Sequence, residues 1–421
     1  MDTNARTFSR GKQTLILLIG QGIYFLADIF IVFIIPIVDS YELTGIYSYS
    51  YSVASLFFIT TTFCIKDIQV VYQYKDYSSN QYIGAFLYTT AFSILIMLGS
   101  SFLLCDNLKE QLVFITTSLG QILIGSTFYM IARLQISNRL DAWGWSNAIC
   151  GIGKLAILLT GIFLDNVYGA ILAMPIIGAI SFWIVVYFFH RSIVCDEQIE
   201  LSCFTKISSF FSKGSFRILR MCVPLTMIQI VNTFESAYVK FFIKYFWGNE
   251  EHGIFAVVTT ISLVIPNVAN CIIAPLLNDF ATLYNLGERH KLKKKYVTTI
   301  VALVILYLLA IITMIKPLWI MMINYYGEQV LGHESLFVLS FISALMIAIT
   351  SYSSYILVIF KKNRNQLFIV IGGLVIGLII VPVLVKNVGL LGAMLSLVVV
   401  NSMVAMLEFV YSIFLVSNLK E

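Results

Sequence analysis

Apolar residues run along this chain in long blocks separated by short polar breaks. About 20 consecutive, mostly apolar residues cross a bilayer as a helix. On that measure the pattern predicts twelve spans, at 14–37, 44–65, 82–104, 111–132, 146–164, 168–190, 219–244, 252–275, 297–320, 335–360, 366–385 and 390–417. They must be helical, because lipid offers no partner to unpaired backbone groups and the strand-by-strand alternation of an outer-membrane barrel is absent. The first run is too long for a signal-peptide core and lacks a small-residue cleavage site, so it reads as a retained span. The longest loop, 191–218, divides the spans six and six. The expected organisation is a six-helix bundle over 1–195, a basic amphipathic cytoplasmic linker over 196–218 and a second six-helix bundle over 219–421. No loop is large enough for a soluble catalytic domain, which argues against an enzyme.

Within such blocks the polar positions carry the information. Burying an ionisable side chain mid-bilayer costs at least about 2.5–3.5 kcal/mol, so each needs a reason. Asp28 lies two-thirds along the first span, and Gln21, Tyr24 and Asp28 are spaced to share one helical face. In the seventh span Gln229, Asn232 and Ser236 make a matching stripe with Glu235 beside it. Such a stripe should face a wet cavity or the bundle interior. Two roles stay open for each acid: ion coupling or gating in a transport pathway, or pairing with a buried cation. Lys154, mid-span in Cys150-Gly151-Ile152-Gly153-Lys154-Leu155, is fit either to contact a phosphate or to pair with Asp28 or Glu235. That segment is not a P-loop, since Ala148 and Leu155 stand where Gly and Ser or Thr are required. Glu408, in the twelfth span, is a further coupling or gating candidate, with snorkelling or pairing near the cytoplasm as the alternative. The run Tyr47 to Ser52 reads mostly as an interfacial aromatic belt.

Composition agrees with the spans. Apolar residues make up 59% and charged residues 12%, against about 45–50% and about 25% in soluble domains. With the N-terminus inside, 21 of the 27 Lys and Arg fall on the cytoplasmic side, so an N-in, C-in chain with an even number of spans is the consistent solution. Two inner segments are strongly basic. Residues 203–220 read as an interfacial amphipathic helix, and 289–295 as a topology determinant against anionic lipid or a capture site for an anionic lipid-linked substrate. Nucleic acid is not an expected partner of so short a run. The seven cysteines have no CxxC spacing and the four histidines no paired spacing, so neither a metal nor a cofactor is expected.

The two halves echo one another. A shift of 208 residues lays Gln21 on Gln229, Phe33 on Phe241, Ile35 on Ile243, Glu42 on Glu250, Gly45 on Gly253 and Ile46 on Ile254. Duplicated bundles with ionisable groups inside the bilayer are a common transporter plan. Twelve spans in two sixes, an acid in span 1, Glu42-Leu43-Thr44-Gly45-Ile46-Tyr47-Ser48-Tyr49 opening span 2, and Pro224, Glu235 and Gly253-Ile254-Phe255 across spans 7 and 8 together resemble the polysaccharide transporter family. Its members are Wzx-type O-antigen and capsule-unit flippases of the MATE-like MOP exporter superfamily.

The resemblance implies an all-α polytopic protein of the MATE-like, inverted-V type in a bacterial inner membrane. It implies a substrate, an undecaprenyl-diphosphate-linked oligosaccharide, moved from the cytoplasmic to the periplasmic leaflet by alternating access. Proton or sodium coupling would come with it, as would association with a polymerase and a chain-length regulator. Asp28 and Glu235 would be titratable switches, and Lys154 a lumen cation. A strongly cationic lumen would also need Arg133, Arg139 or Lys66 to reach inwards. Rival readings are a MATE-type cation-coupled drug exporter and a membrane-embedded polysaccharide polymerase.

Overall fold

The computed structural model describes residues 10–72, 77–137, 139–196, 213–263, 266, 280, 283–284, 286–360 and 362–417. Among these the chain is helical and contains no strand. In order the helices are α1 (Arg10–Val38), α2 (Tyr41–Thr62), α3 (Ile65–Tyr72), α4 (Ser79–Leu104), α5 (Leu108–Ser126), α6 (Phe128–Ile136), α7 (Leu140–Phe163), α8 (Val167–Asp196), α9 (Lys213–Thr260), α10 (Arg289–Tyr326), α11 (Glu334–Ile359), α12 (Asn363–Val388) and α13 (Leu390–Ser417).

Among the described residues, eleven stretches are long and apolar enough to cross a membrane. One of them, Lys213–Leu263, holds the expected seventh span and the start of the eighth. It is broken at Gly248, whose φ of 88° lies where L side chains are disfavoured. The eighth span continues into residues outside those described, and residues 203–212 of the expected amphipathic segment also lie outside them. The basic run 289–295 forms the first turns of α10 rather than a loop. Span 2 is interrupted at Phe63 and Cys64, both with positive φ, before α3. Span 4 is interrupted at Thr127 between α5 and α6.

Contacts group the chain into two units, Met1–Asp39 with Ile46–Thr233, and Ser40–Gly45 with Phe234–Glu421. In the first, α1 packs along α7, α7 along α8, and α5 along α8. The α1–α7 seam is built on glycine. A Cβ on Gly144 would stand 2.5 Å from the Ile16 carbonyl oxygen and 2.7 Å from Leu17 Cα. A Cβ on Gly151 would meet Tyr24 Cα at 3.0 Å. Without a hydrophobic drive between helices in lipid, such close backbone approach supplies the dispersion contact that holds them. Ile131, Leu134, Cys150, Phe182 and Val186 fill one core cluster. Ile65, Tyr82, Phe86, Ile218 and Cys222 fill another, which ties the start of α9 to α3 and α4.

In the second unit α13 packs along α11 and α12, around Tyr296, Ala348, Tyr352, Ile356 and Val416. Trp247 Nε1 donates to the Val385 carbonyl at 2.9 Å, anchoring the α9 break on α12. Two glycines of the internal echo, Gly45 and Gly253, pack against each other. A Cβ on Gly45 would meet Gly253 N at 3.1 Å, and one on Gly253 would meet Tyr41 C at 2.7 Å. His252 Nδ1 lies 3.0 Å from the Gly45 carbonyl oxygen at the same crossing.

Candidate functional site

In the first unit the α1–α7 seam brings Asp28 and Lys154 together. Lys154 Nζ lies 2.8 Å from Asp28 Oδ1, and Tyr51 of α2 donates its hydroxyl to Asp28 Oδ2 at 2.7 Å. Tyr24 places its ring 4.1 Å from the ammonium, and the Tyr51 ring follows at 5.9 Å. The Lys154 side chain is 4% exposed and that of Asp28 14%. A charged pair so placed survives in hydrocarbon only if each partner's remaining valences are met. Here the carboxylate takes one bond on each oxygen, and the ammonium adds a cation–π contact. Gly178 of α8 makes room for the lysine stem, since a Cβ there would meet Lys154 Cγ at 2.8 Å.

The pair borders a narrow cavity lined by Tyr47, Tyr51, Thr117, Gln121, Lys154 and Pro175, with Gly120, Ile124, and Met174 completing it. The Thr117 hydroxyl is buried there without a hydrogen-bond partner. Pro175 breaks the α8 ladder at this level, and Gly120 lets α5 come against it, its Cβ position lying 2.7 Å from the Pro175 carbonyl oxygen. The site thus joins a cation, an acid, phenols, an amide and a free hydroxyl inside membrane-length helices.

Of the two partners open to Lys154, the structure selects Asp28. Tyr51 was missed. Residues 47–52 are not an interfacial belt: Tyr47, Ser48, Tyr49, Ser50 and Ser52 are buried in protein, and Tyr51 is half-buried against Asp28. The usable signal was the four-residue spacing of Tyr47 and Tyr51, which sets them on one helical face. Gln21 is half-buried near this seam. Gln229 and Asn232, with Ser236, lie on an exposed face of α9, so that stripe does not enter the interior of a unit.

The three additional cations do not converge on the pair. Arg139 makes two bonds to Asp141, at 3.1 and 3.2 Å. Arg133 donates to the Tyr129 hydroxyl at 3.3 Å, and Lys66 sits 4.7 Å over the Trp143 ring.

In the second unit Glu235 is buried, with Oε1 unpartnered. One turn on, the Tyr238 hydroxyl is also buried without a partner. Glu408 is fully buried with its Oε2 2.9 Å from the Ser354 hydroxyl, which replaces the snorkelling alternative with a paired, interior acid. No cluster of metal-ligating side chains occurs among the described residues. The cysteines whose side chains are described, Cys64, Cys105, Cys150 and Cys222, form no disulfide.

No family model and no curated protein sequence matches the chain. Solved structures do. An inward-facing multidrug resistance MATE family transporter of the MOP superfamily superimposes with a TM-score of 0.71 at 12% identity, covering 97% of this chain and 98% of that one. An outward-facing conformation of such a transporter gives 0.61 at 11% identity, with 97% and 96% covered. A MOP superfamily transporter from Pyrococcus furiosus, described as having a binding pocket of reverse polarity that suggests a different function, gives 0.65 at 13% identity, with 99% and 98% covered. The chain therefore has the fold of the MATE transporters of the MOP superfamily along nearly its whole length.

Proposed function

We propose that this protein is a flippase of a bacterial inner membrane that carries an undecaprenyl-diphosphate-linked oligosaccharide from the cytoplasmic to the periplasmic leaflet. The observation that carries the reading is Lys154, a cation held inside a membrane-length helix at the edge of a small cavity. A diphosphate sugar head group cannot cross hydrocarbon unaided, and it needs a positive group that can be occupied and vacated. Asp28 supplies the competitor. While ionised it neutralises Lys154; once protonated it leaves the ammonium free for a phosphate oxygen, and Tyr51 and Tyr24 for sugar hydroxyls. Proton uptake on Asp28, or sodium binding beside it, then couples cargo binding to the ion gradient, with Glu235 as the second titratable position. Structural neighbours in inward- and outward-facing conformations support alternating access. Lys291, Lys293, Lys294 and Lys295, opening α10, suit the anionic inner leaflet from which the substrate is taken. Association with a polymerase and a chain-length regulator belongs to the same reading.

A second reading, export of cationic drugs, is favoured by the multidrug transporters on this fold. Against it, the acid of the first unit is already neutralised by Lys154. One genetic experiment separates the two. Deletion should accumulate lipid-linked units facing the cytoplasm, relieved by the gene but not by its Lys154→Ala or Asp28→Ala form. Unaltered surface polysaccharide in a strain with no second flippase, together with new sensitivity to cationic dyes, would decide for drug export.

A further inference from the structure

Three helices of the second unit meet at Glu408. Its Oε2 lies 2.9 Å from Ser354 Oγ on α11, while Oε1 is buried with no hydrogen-bond partner. Ser354 Oγ also lies 2.7 Å from Gln366 Nε2 on α12 and 2.8 Å from the Thr350 carbonyl oxygen. Around this centre, Tyr296 of α10 is 3.1 Å from Ser353 Oγ, and Ser412, one turn along α13, donates to the Ser353 carbonyl at 3.3 Å. Tyr411 bonds Asn365 beyond it. Among the described residues, none of the ion pairs reaches Glu408.

Hydrogen counting then constrains the acid. A serine hydroxyl has one proton and two lone pairs. Gln366 occupies one lone pair as donor, leaving one proton and one lone pair for two neighbouring oxygens, Thr350 O and Glu408 Oε2. A carboxylate can only accept, so a charged Glu408 would claim the proton and leave Thr350 O facing a bare oxygen at 2.8 Å. A neutral carboxylic acid donates into the free lone pair, the hydroxyl donates to Thr350, and all three short contacts are satisfied at once. Reversing the Gln366 amide does not rescue the charged form, because the hydroxyl proton would then go to the amide oxygen and the acid would still have to donate. The unpartnered Oε1 agrees: a charged oxygen buried without donor or cation is far costlier than a neutral carbonyl.

We propose that Glu408 is a proton-binding site, occupied in this conformation, with the Ser354 hydroxyl reporting its state. When the proton leaves to water, the hydroxyl turns from Thr350 to the carboxylate. The new charge then has one donor only, so release favours an arrangement in which α11, α12 and α13 part enough to admit water. The site thereby links the packing of these helices to the proton, whatever the cargo, and stands independently of the flippase reading.

The test is infrared absorption of the full-length protein in lipid nanodiscs at neutral pH, in the carbonyl-stretch region of protonated carboxyl groups. A band that shifts in heavy water should be present in the wild type, persist in Asp28→Asn and Glu235→Gln, and be lost in Glu408→Gln. Coincident wild-type and Glu408→Gln spectra would overturn the proposal. Should Glu408→Gln not fold, Ser354→Ala keeps the acid and removes its acceptor. The band should then move to higher frequency, and an unmoved band would equally overturn the proposal.

Discussion

Lys154 and Asp28 are each conspicuous as a charge inside an apolar run, yet nothing local says that they meet, since 126 residues separate them. Their pairing sets the sign of the expected mutational response. Removing one partner of a buried pair strands the other and costs about 3–5 kcal/mol, whereas removing both together is often close to neutral. Asp28→Ala should therefore lower the thermal midpoint in lipid nanodiscs sharply, and the Asp28→Ala/Lys154→Ala double variant should recover most of the loss. A double variant as unstable as the two single losses added together would show that the residues do not act as a pair. Tyr51 and Ser354 belong to the same class of finding. Each is an unremarkable residue in sequence that becomes informative only as the hydrogen-bond partner of a distant acid.

At the scale of helices, the predicted spans other than the eighth, which lies mostly outside the described residues, follow the observed helices because membrane thickness sets the length of an apolar run. What the pattern could not show was the spacing between helices. Gly20, Gly144 and Gly151 decide how near α1 comes to α7, and hence whether Lys154 reaches Asp28 at 2.8 Å. Stability should rank with the contacts that an added methyl group would make. Gly144→Ala presses on α1 backbone at 2.5 Å and should cost about 1–3 kcal/mol, the usual range for overpacking. Gly151→Ala, with its nearest atom at 3.0 Å, should cost less, and Gly22→Ala, with nothing within 4 Å, almost nothing. Denaturant midpoints for the three variants check the order. Were Gly22→Ala the most damaging, the seam would not be the controlling contact.

For the whole molecule, the Lys and Arg bias predicts the N-terminus, the α10 basic run and the C-terminus on the cytoplasmic side. In a cysteine-free background, Lys294→Cys should resist a membrane-impermeant thiol reagent in intact spheroplasts, and Lys386→Cys should react. The opposite labelling pattern would invert the topology, and with it the direction of transport. The fold likeness at 11–13% identity shows how little particular sequence this architecture demands. In this chain it rests on apolar runs of the right length, a break at Gly248 and small residues at the helix crossings.

The amino-acid sequence alone determined the helical class, the course of most spans and the places where charge enters the apolar runs. These follow from the rule that lipid accepts neither unpaired backbone nor unpaired charge, which acts locally along the chain. Only the tertiary structure decided which charge meets which. It set Lys154 on Asp28 rather than on Glu235, buried Tyr47 to Ser52 instead of laying them at the interface, and gave Glu408 a serine in place of a cation. Those outcomes depend on the rotation and depth of each helix against its neighbours. They are fixed by contacts such as Gly144 on Leu17 and Gly120 on Pro175, which hydrophobic periodicity does not encode.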